Sequence, residues 1–371
     1  MQFTTHVQTL LDSLSVVTRA LASRPARPIL DGVLIEASGN TVTLTCSDGS
    51  MSIEASIESE IKKEGQTVVP GRLINDLIRR LPGGEVTIKL TDSNRLQVMC
   101  MSSRSNLTAM NASDYPEIPQ LSGNIVEFRA QAGLLKRMIG GVVFSISTDE
   151  NRQLLTGCLI EATGSEIRVV ALDGFRLAYQ SAEADTKLPD GTDHFSAVVP
   201  GRVMNEISRV LPDDDTECVL SFDRNRVSVR FGETVISSVL LVGEFIDYNR
   251  IIPKDFASEA LLPRTEFMEA VERASLMARE GRNNLVKLHV DESALTLLSN
   301  ADMGEIHEEI TCGLTGKPID IAFNAKYLTD AIRNIDEDEF VFCFNTNVSP
   351  AIIRPKDGKG YLYLVLPVRT F

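Results

Sequence analysis

No apolar run in the 371 residues approaches the ~18 that a membrane helix requires, which excludes a helical membrane protein. The opening MQFTTHVQTLLDSL lacks the basic start, apolar centre and small-residue cleavage site of a secretory leader, so secretion is not expected. The six cysteines (46, 100, 158, 218, 312 and 343) form no close pairs, the pattern of reduced, buried thiols in a cytoplasmic protein rather than of a disulfide framework. The four histidines (6, 194, 289 and 307) include no HExxH, and no Cys/His spacing suits zinc. There is no GxSxG elbow. The stretch GLTGKP from Gly313 has glycine spacing too short for a phosphate loop, with Pro318 where Ser or Thr would stand. Asp213, Asp214 and Asp215 follow Leu-Pro at a helix end, the signature of a solvated turn rather than a metal site. No catalytic residue, metal ligand or cofactor is expected.

What is present suffices for packed cores: 43% of residues are hydrophobic and 24% charged, which excludes wholesale disorder. The length is too great for one ordinary core. Lys+Arg number 37 against Asp+Glu 51, a net charge of -14 that, taken alone, argues against nucleic acid as a partner.

Self-comparison revises that inference. PILDGVLIEASGNTVTLTCSDGSMSIEAS from Pro28 returns as LLTGCLIEATGSEIRVVALDGFRLAYQSA from Leu154, and more faintly as NLVKLHVDESALTLLSNADMGEIHEEI from Asn284. A second block runs VVPGRLINDLIRRLPGGEVTIKL from Val68, VVPGRVMNEISRVLPDDDTECVL from Val198 and AFNAKYLTDAIRNIDEDEFVFCF from Ala322. The first two copies close alike, with DYPEIP at Asp114 and DYNRIIP at Asp247, and each closure has the character of a linker. Three repeats of about 120 residues, each of domain size, make a chain of domains and not a solenoid. Their expected spans are 1–121, 122–253 and 254–371.

Val7, Leu10, Leu11, Leu14 and Val17 recur at helical spacing in the opening segment. Leu73, Ile74, Leu77, Ile78 and Leu81 predict one face of a short helix in the second block. The same positions hold Val203, Met204, Ile207 and Leu211, then Tyr327, Leu328, Ala331, Ile332 and Ile335. Between helices the period falls to two, as in Leu96, Val98, Cys100 and in Val227, Val229, Phe231, which predicts strands joined by hairpin turns. Each repeat is thus two helices on antiparallel sheets, an α+β design.

The second-block helices share their cations. Arg72, Arg202 and Lys326 align, as do Arg79, Arg209 and Arg333 seven residues later, about two turns along the same side. Arg80 adds to the first copy, and Lys136 with Arg137 give the second repeat's opening helix a basic patch. One copy alone would be a solvated face; the recurrence suggests three helices turned toward one centre. An acidic protein would then hold a basic inner wall that follows phosphates without reading bases.

With SRPARPIL at Ser23, LDGFRLA at Leu172, GEFIDYNRIIP at Gly243 and the terminal YLVLPVRTF, the whole chain resembles the bacterial sliding clamp family, the beta subunit of DNA polymerase III. The resemblance implies three domains of the DNA clamp fold, dimerising head to tail into a six-domain ring around double-stranded DNA, with helices lining the hole and sheets outside. It implies a cytoplasmic, non-catalytic processivity factor that contacts DNA without sequence preference. By position it adds Arg24, Arg152 and Arg282 to the DNA-facing set, each otherwise a solvated loop charge. The family often has an aromatic pair just after the equivalent of Arg152, where Gln153 and Leu154 stand here.

The resemblance further implies a peptide groove. Its second-domain wall is Leu155, Leu172, Gly174, Phe175, Arg176, Leu177, Ile246, Arg250 and Ile251, and its third-domain wall Leu364, Val365, Leu366, Pro367, Val368 and Arg369. Leu362 and Leu364 are expected in a last core strand, and Pro367, which cannot donate to a ladder, should end the pairing. An apolar trough with Arg at its rim suits extended peptides with a Leu or aromatic anchor and an acidic or Gln residue. The implied peptide partners are the replicative polymerase alpha subunit, the clamp loader, and repair and translesion polymerases. Phe175 stands where some members have His, Ile246 replaces a frequent Pro, and Thr370-Phe371 extend past the usual ending, so the groove should be more apolar and Phe371 is placed to cover it in part. On the residues alone two other classes stay open: a β-rich adaptor that binds proteins but not DNA, and a hydrolase with paired carboxylates in a domain cleft.

Overall fold

The structure, a computed structural model, describes all residues except 23, 25, 26, 189–191, 282, 283, 370 and 371. The expectations for Arg282 and for Thr370 and Phe371 therefore lie outside the described residues. Among those described are helices α1 (Val7–Val17), α2 (Gly71–Arg79), α3 (Ala132–Val143), α4 (Gly201–Val210), α5 (Arg264–Glu280) and α6 (Ala325–Ile332), two for each repeat. None is long and apolar enough to cross a membrane. The repeated blocks fold alike: residues 32–38, 41–47 and 51–58, then 157–163, 166–172 and 176–183, then 285–290, 294–301 and 304–311, are each an antiparallel meander.

The recurring VVPGR has a physical reason. The strand 65–70 ends at Pro70, and α2 begins at once on Gly71. A Cβ on Gly71 would lie 2.7 Å from Leu21 Cδ1, and one on Gly201 would lie 2.6 Å from the Thr156 carbonyl. At Gly201 the neighbour is a backbone oxygen that leaves no room for a side chain, and at Gly71 a Cβ would crowd the Leu21 and Val33 side chains. In the third copy Ala325 takes the place, buried at the head of α6.

Compactness groups the chain into two units, 1–134 with 187–191 and 209–240, and 135–186 with 192–208 and 241–371. In the first unit one sheet runs in the order 60–63, 2–6, 85–90, 95–100, 103–108. A longer sheet runs 126–131, 217–222, 226–231, 234–239, 51–58, 41–47, 32–38, 65–70. Thr234 pairs with Ala55 and Ile236 with Ile53, so strands of the first and second repeats form one continuous ladder. Each strand pairing of this kind covers an edge that would otherwise be open to aggregation. The α1 stripe buries Val7, Leu10, Leu14 and Val17, and α2 buries Ile74 and Ile78. Leu73, expected on the same buried face, is instead 53% exposed. The nine-residue α2 buries one narrow stripe, and Leu73 lies beyond it.

In the second unit one sheet runs 194–200, 157–163, 166–172, 176–183, 361–365, 351–354, 339–344, 258–263, 313–316, and a smaller one runs 304–311, 294–301, 285–290, 319–324. Here Leu177 pairs with Leu364 and Tyr179 with Leu362, again joining two repeats in one ladder. With no tryptophan to fill space, the core uses Phe267, Phe323, Phe340, Phe342 and Phe344, all at 0% exposure. The rings of Phe342 and Phe344 lie 4.4 Å apart, and Phe267 meets Phe340 edge-on at 5.5 Å. Each such burial contributes about 1.5–3 kcal/mol.

All six cysteines are unpaired and buried. Burial pushes the Cys343 thiol up to about 11 and the Cys218 thiol up to about 12, so the reactive thiolate is scarce at neutral pH. Titration of the folded protein with a thiol reagent should show no fast-reacting equivalents, and all six should react in denaturant. A rapid equivalent in the folded state would contradict this packing.

Candidate partner groove and basic helix faces

The residues expected to form a groove begin at a turn that the sequence writes as Asp-Gly-Phe-Arg. Asp173 Oδ1 accepts the backbone N–H groups of Phe175 (2.8 Å) and Arg176 (3.0 Å), while Gly174 supplies the positive φ of 95°. The first repeat makes the same turn with Asp48, whose Oδ1 accepts Ser50 and Met51 N–H at 2.8 Å around Gly49 (φ 96°). The second-repeat turn presents Phe175, 56% exposed, and sends Arg176 inward.

Arg176, expected in the second-domain wall, is largely buried. Its side chain is 9% exposed and three of its five donors are committed: Nε to Asp173 Oδ2 (3.0 Å), Nη1 to Asp330 Oδ2 (2.6 Å) and Nη2 to the Phe144 carbonyl (2.5 Å). The guanidinium also lies 4.6 Å from the centre of the Tyr327 ring and 5.4 Å from that of Phe144. It ties the second-repeat turn to α6. The exposed cations of the groove set are Arg250, held by Asp247 at 2.8 Å, and Arg369.

The remaining wall residues separate into floor and rim. Leu155, Leu172, Leu177 and Leu364 are buried in one cluster with Tyr248 and Ile352, and Leu366 packs against it. Ile246 (45%), Ile251 (38%) and Phe175 stand exposed above. Val365 is 1% exposed and lies outside that cluster, as alternation after Leu364 requires. The last strand ends at Val365, and the tail continues by single bonds: Leu366 N–H donates to the Phe175 carbonyl (2.8 Å) and Val368 N–H to that of Ala322 (2.7 Å). Arg152 lies beside the turn, bound to Asp149 at 3.1 Å, and a Cβ on Gly174 would come 2.8 Å from its Nη1.

Sequence reasoning missed Tyr327, whose ring stacks on Phe175 with centroids 6.3 Å apart. The available signal was its position: it occupies the place of Leu73 and Val203 in the other copies, an aromatic where they carry aliphatics. Leu154, Leu241 and Phe245, partly buried against the same cluster, were missed as well.

Tyr248 holds the 246–251 segment in place. It is 2% exposed and donates its hydroxyl to Glu161 Oε2 at 2.5 Å. Burial and the Glu161 carboxylate push its phenol up, so it remains a donor at any working pH. Tyr248→Phe should lower stability by about 1.5–3 kcal/mol, the range for a hydrogen bond to a charged group. Denaturant unfolding of the two proteins measures it, and coincident curves would leave this bond no role.

The basic helix positions are exposed at Arg72, Arg79 and Arg80 on and after α2, at Arg202 and Arg209 on α4, and at Lys326 and Arg333 on and after α6. Arg24 and Arg137 are exposed and Lys136 is half-buried. The copies differ in how their charge is met. Arg72 Nη2 donates to the Ala22 carbonyl (3.3 Å), whereas Lys326 pairs with Asp330 (2.6 Å) and Arg333 with Glu272 (2.7 Å). Among the described residues no group of three His, Cys, Asp or Glu is placed to hold a metal ion.

Three family models match in succession: the N-terminal domain of the DNA polymerase III beta subunit over residues 1–119, its central domain over 130–247 and its C-terminal domain over 249–369. The beta sliding clamp of Staphylococcus epidermidis is 33% identical over 383 aligned positions that cover 100% of both chains, and that of Staphylococcus aureus is 32% identical over the same coverage. The crystal structure of the Bacillus subtilis DNA polymerase sliding clamp superposes with a TM-score of 0.95 at 31% identity, and that of the Pseudomonas aeruginosa clamp bound to griselimycin with 0.94 at 26%, each covering 100% of both chains.

Proposed function

Because the chain belongs to the DNA polymerase III beta-subunit family, we infer that it is a DNA sliding clamp, which holds the replicative polymerase on duplex DNA. The observation that carries this is the chain-long match in three successive domains, together with cations that recur at the same two helix positions in each repeat. Its role is non-catalytic and cytoplasmic: it supplies processivity, and the polymerase supplies the chemistry. We place the three domains at 1–121, 122–253 and 254–371.

The finer proposals concern assembly and sites. The strand 103–108 is an edge of its sheet and exposes Arg104; the strand 304–311 is an edge of another and exposes Glu305, His307 and Glu309. Two open edges of opposite charge support head-to-tail pairing between two copies, which closes a ring if the rotation permits. The DNA-facing set is then Arg24, Arg72, Arg79, Arg80, Lys136, Arg137, Arg152, Arg202, Arg209, Lys326 and Arg333. The ion pairs of Lys326 and Arg333 weaken their claim on phosphate, so the first repeat should carry more of the DNA contact than the third. The groove takes clamp-binding peptides of the polymerase alpha subunit, the clamp loader, and repair and translesion polymerases. Primer extension on a circular template with polymerase, clamp loader and ATP tests the function. Adding the protein should lengthen the products of a single binding event, and unchanged lengths would refute it.

A further inference from the structure

Beyond the groove's apolar floor, the tail leads into a second basin. The Val368 N–H bond to the Ala322 carbonyl sets the tail against the strand 319–324, the edge of its sheet. There a cavity of about 460 Å3 opens, shared by the tail residues Val368 and Arg369 and by the strands 285–290 and 319–324. Its size falls within the range of about 300–1,000 Å3 usual for ligand clefts. Leu288, Ile321 and Ala322, each nearly buried, form its base. Lys287 and Arg369 bring two cations to its wall, both exposed. The single carboxylate there, Asp320, is already engaged: its Oδ1 accepts from His289 Nδ1 at 2.7 Å. In a chain of net charge -14 this is a local reversal of sign.

We propose that this basin, lined by Lys287, His289, Asp320 and Arg369, receives an acidic flank of the peptide whose anchor sits in the groove. The assignment rests on the groove reading, and continuity carries it, since Val368 and Arg369 belong both to the groove's third-domain wall and to the basin. Charge complementarity selects the occupant. A flanking Asp or Glu meets two cations, Lys287 and Arg369, against the one carboxylate of Asp320, whose Oδ1 is held by His289, whereas a basic flank meets an excess of positive charge. The basin thereby ranks partners that share one anchor by the acidity of the residues beside it.

The test uses a labelled core peptide containing Gln and Leu/Phe anchors, and the same peptide extended at either end by two Asp or by two Ser. For one end, the Asp extension should bind about three- to tenfold tighter than the Ser extension at low ionic strength, a gain that shrinks as salt is added. Lys287→Glu should abolish that gain and leave core-peptide affinity unchanged, because Lys287 is an exposed strand residue outside the groove. Equal affinities for Asp and Ser extensions at both ends, or a gain that survives Lys287→Glu, would overturn the proposal while leaving the groove intact. Failure of the core peptide itself to bind would overturn the groove reading and this proposal with it.

Discussion

Arg176→Ala should destabilise the protein by about 3–5 kcal/mol, the cost of removing one partner from a buried ion pair. The substitution leaves the carboxylates of Asp173 and Asp330, 15% and 14% exposed, without the guanidinium that faces both. It also orphans the Phe144 carbonyl and empties the space over the Tyr327 ring. Asp330 keeps Lys326, at 2.6 Å, so the loss should fall short of two fully abandoned charges. Arg176→Lys keeps the charge but not the fork, and should recover only part of the stability, because an ammonium on one stem cannot meet three acceptors set in different directions. Denaturant unfolding, with groove binding followed in parallel, measures both. A loss under about 1 kcal/mol would show the network to be no stronger than a surface pair.

Deleting residues 367–371 should weaken the binding of a Gln- and Leu/Phe-containing clamp peptide by about 30- to 100-fold, the loss expected when one wall of a hot-spot pocket is removed. The floor should survive, since Leu155, Leu172, Leu177 and Leu364 belong to a cluster that the tail only covers. What goes is the backbone stitch from Val368 to Ala322, the Arg369 charge and the outer half of the third-domain wall, Pro367 to Arg369. Unfolding curves of the truncated protein should nearly overlay those of the parent. Peptide titration gives the affinity, and equal binding by both proteins would eliminate the tail as a groove wall.

The fold was legible where short-range pattern decides it. Period-two runs such as Val227, Val229 and Phe231 became strands with those residues inward, and Val7, Leu10, Leu14 and Val17 became the buried stripe of α1. The repeated VVPGR marked helix starts because the glycine there answers a steric demand local to each copy. Periodicity gives the direction of a stripe but not its width, and Leu73 was therefore assigned to a face that α2 does not bury. The groove shows the deeper limit. The Asp173 turn is local and readable, yet the other partners of Arg176 stand 154 and 32 positions away in the chain, at Asp330 and Phe144, so sequence spacing could not say that this Arg is consumed inside. The same holds for Arg333 and Glu272, separated by 61 positions: repeat alignment found the cation, and only the packing of α5 against α6 revealed what neutralises it.

The acidic balance and the proposed DNA partner are reconciled if base lies within and acid without, so that linkage rather than affinity retains the protein on DNA. Phosphate contacts alone would make retention a matter of salt; a closed ring would make it a matter of topology. The direct measurement is retention on nicked circular plasmid, loaded with clamp loader and ATP, before and after the circle is cut once. The account predicts stable retention on the closed circle in moderate salt and rapid loss from the free ends after cutting. Equal retention on circular and linear DNA, or failure to load at all, would contradict it.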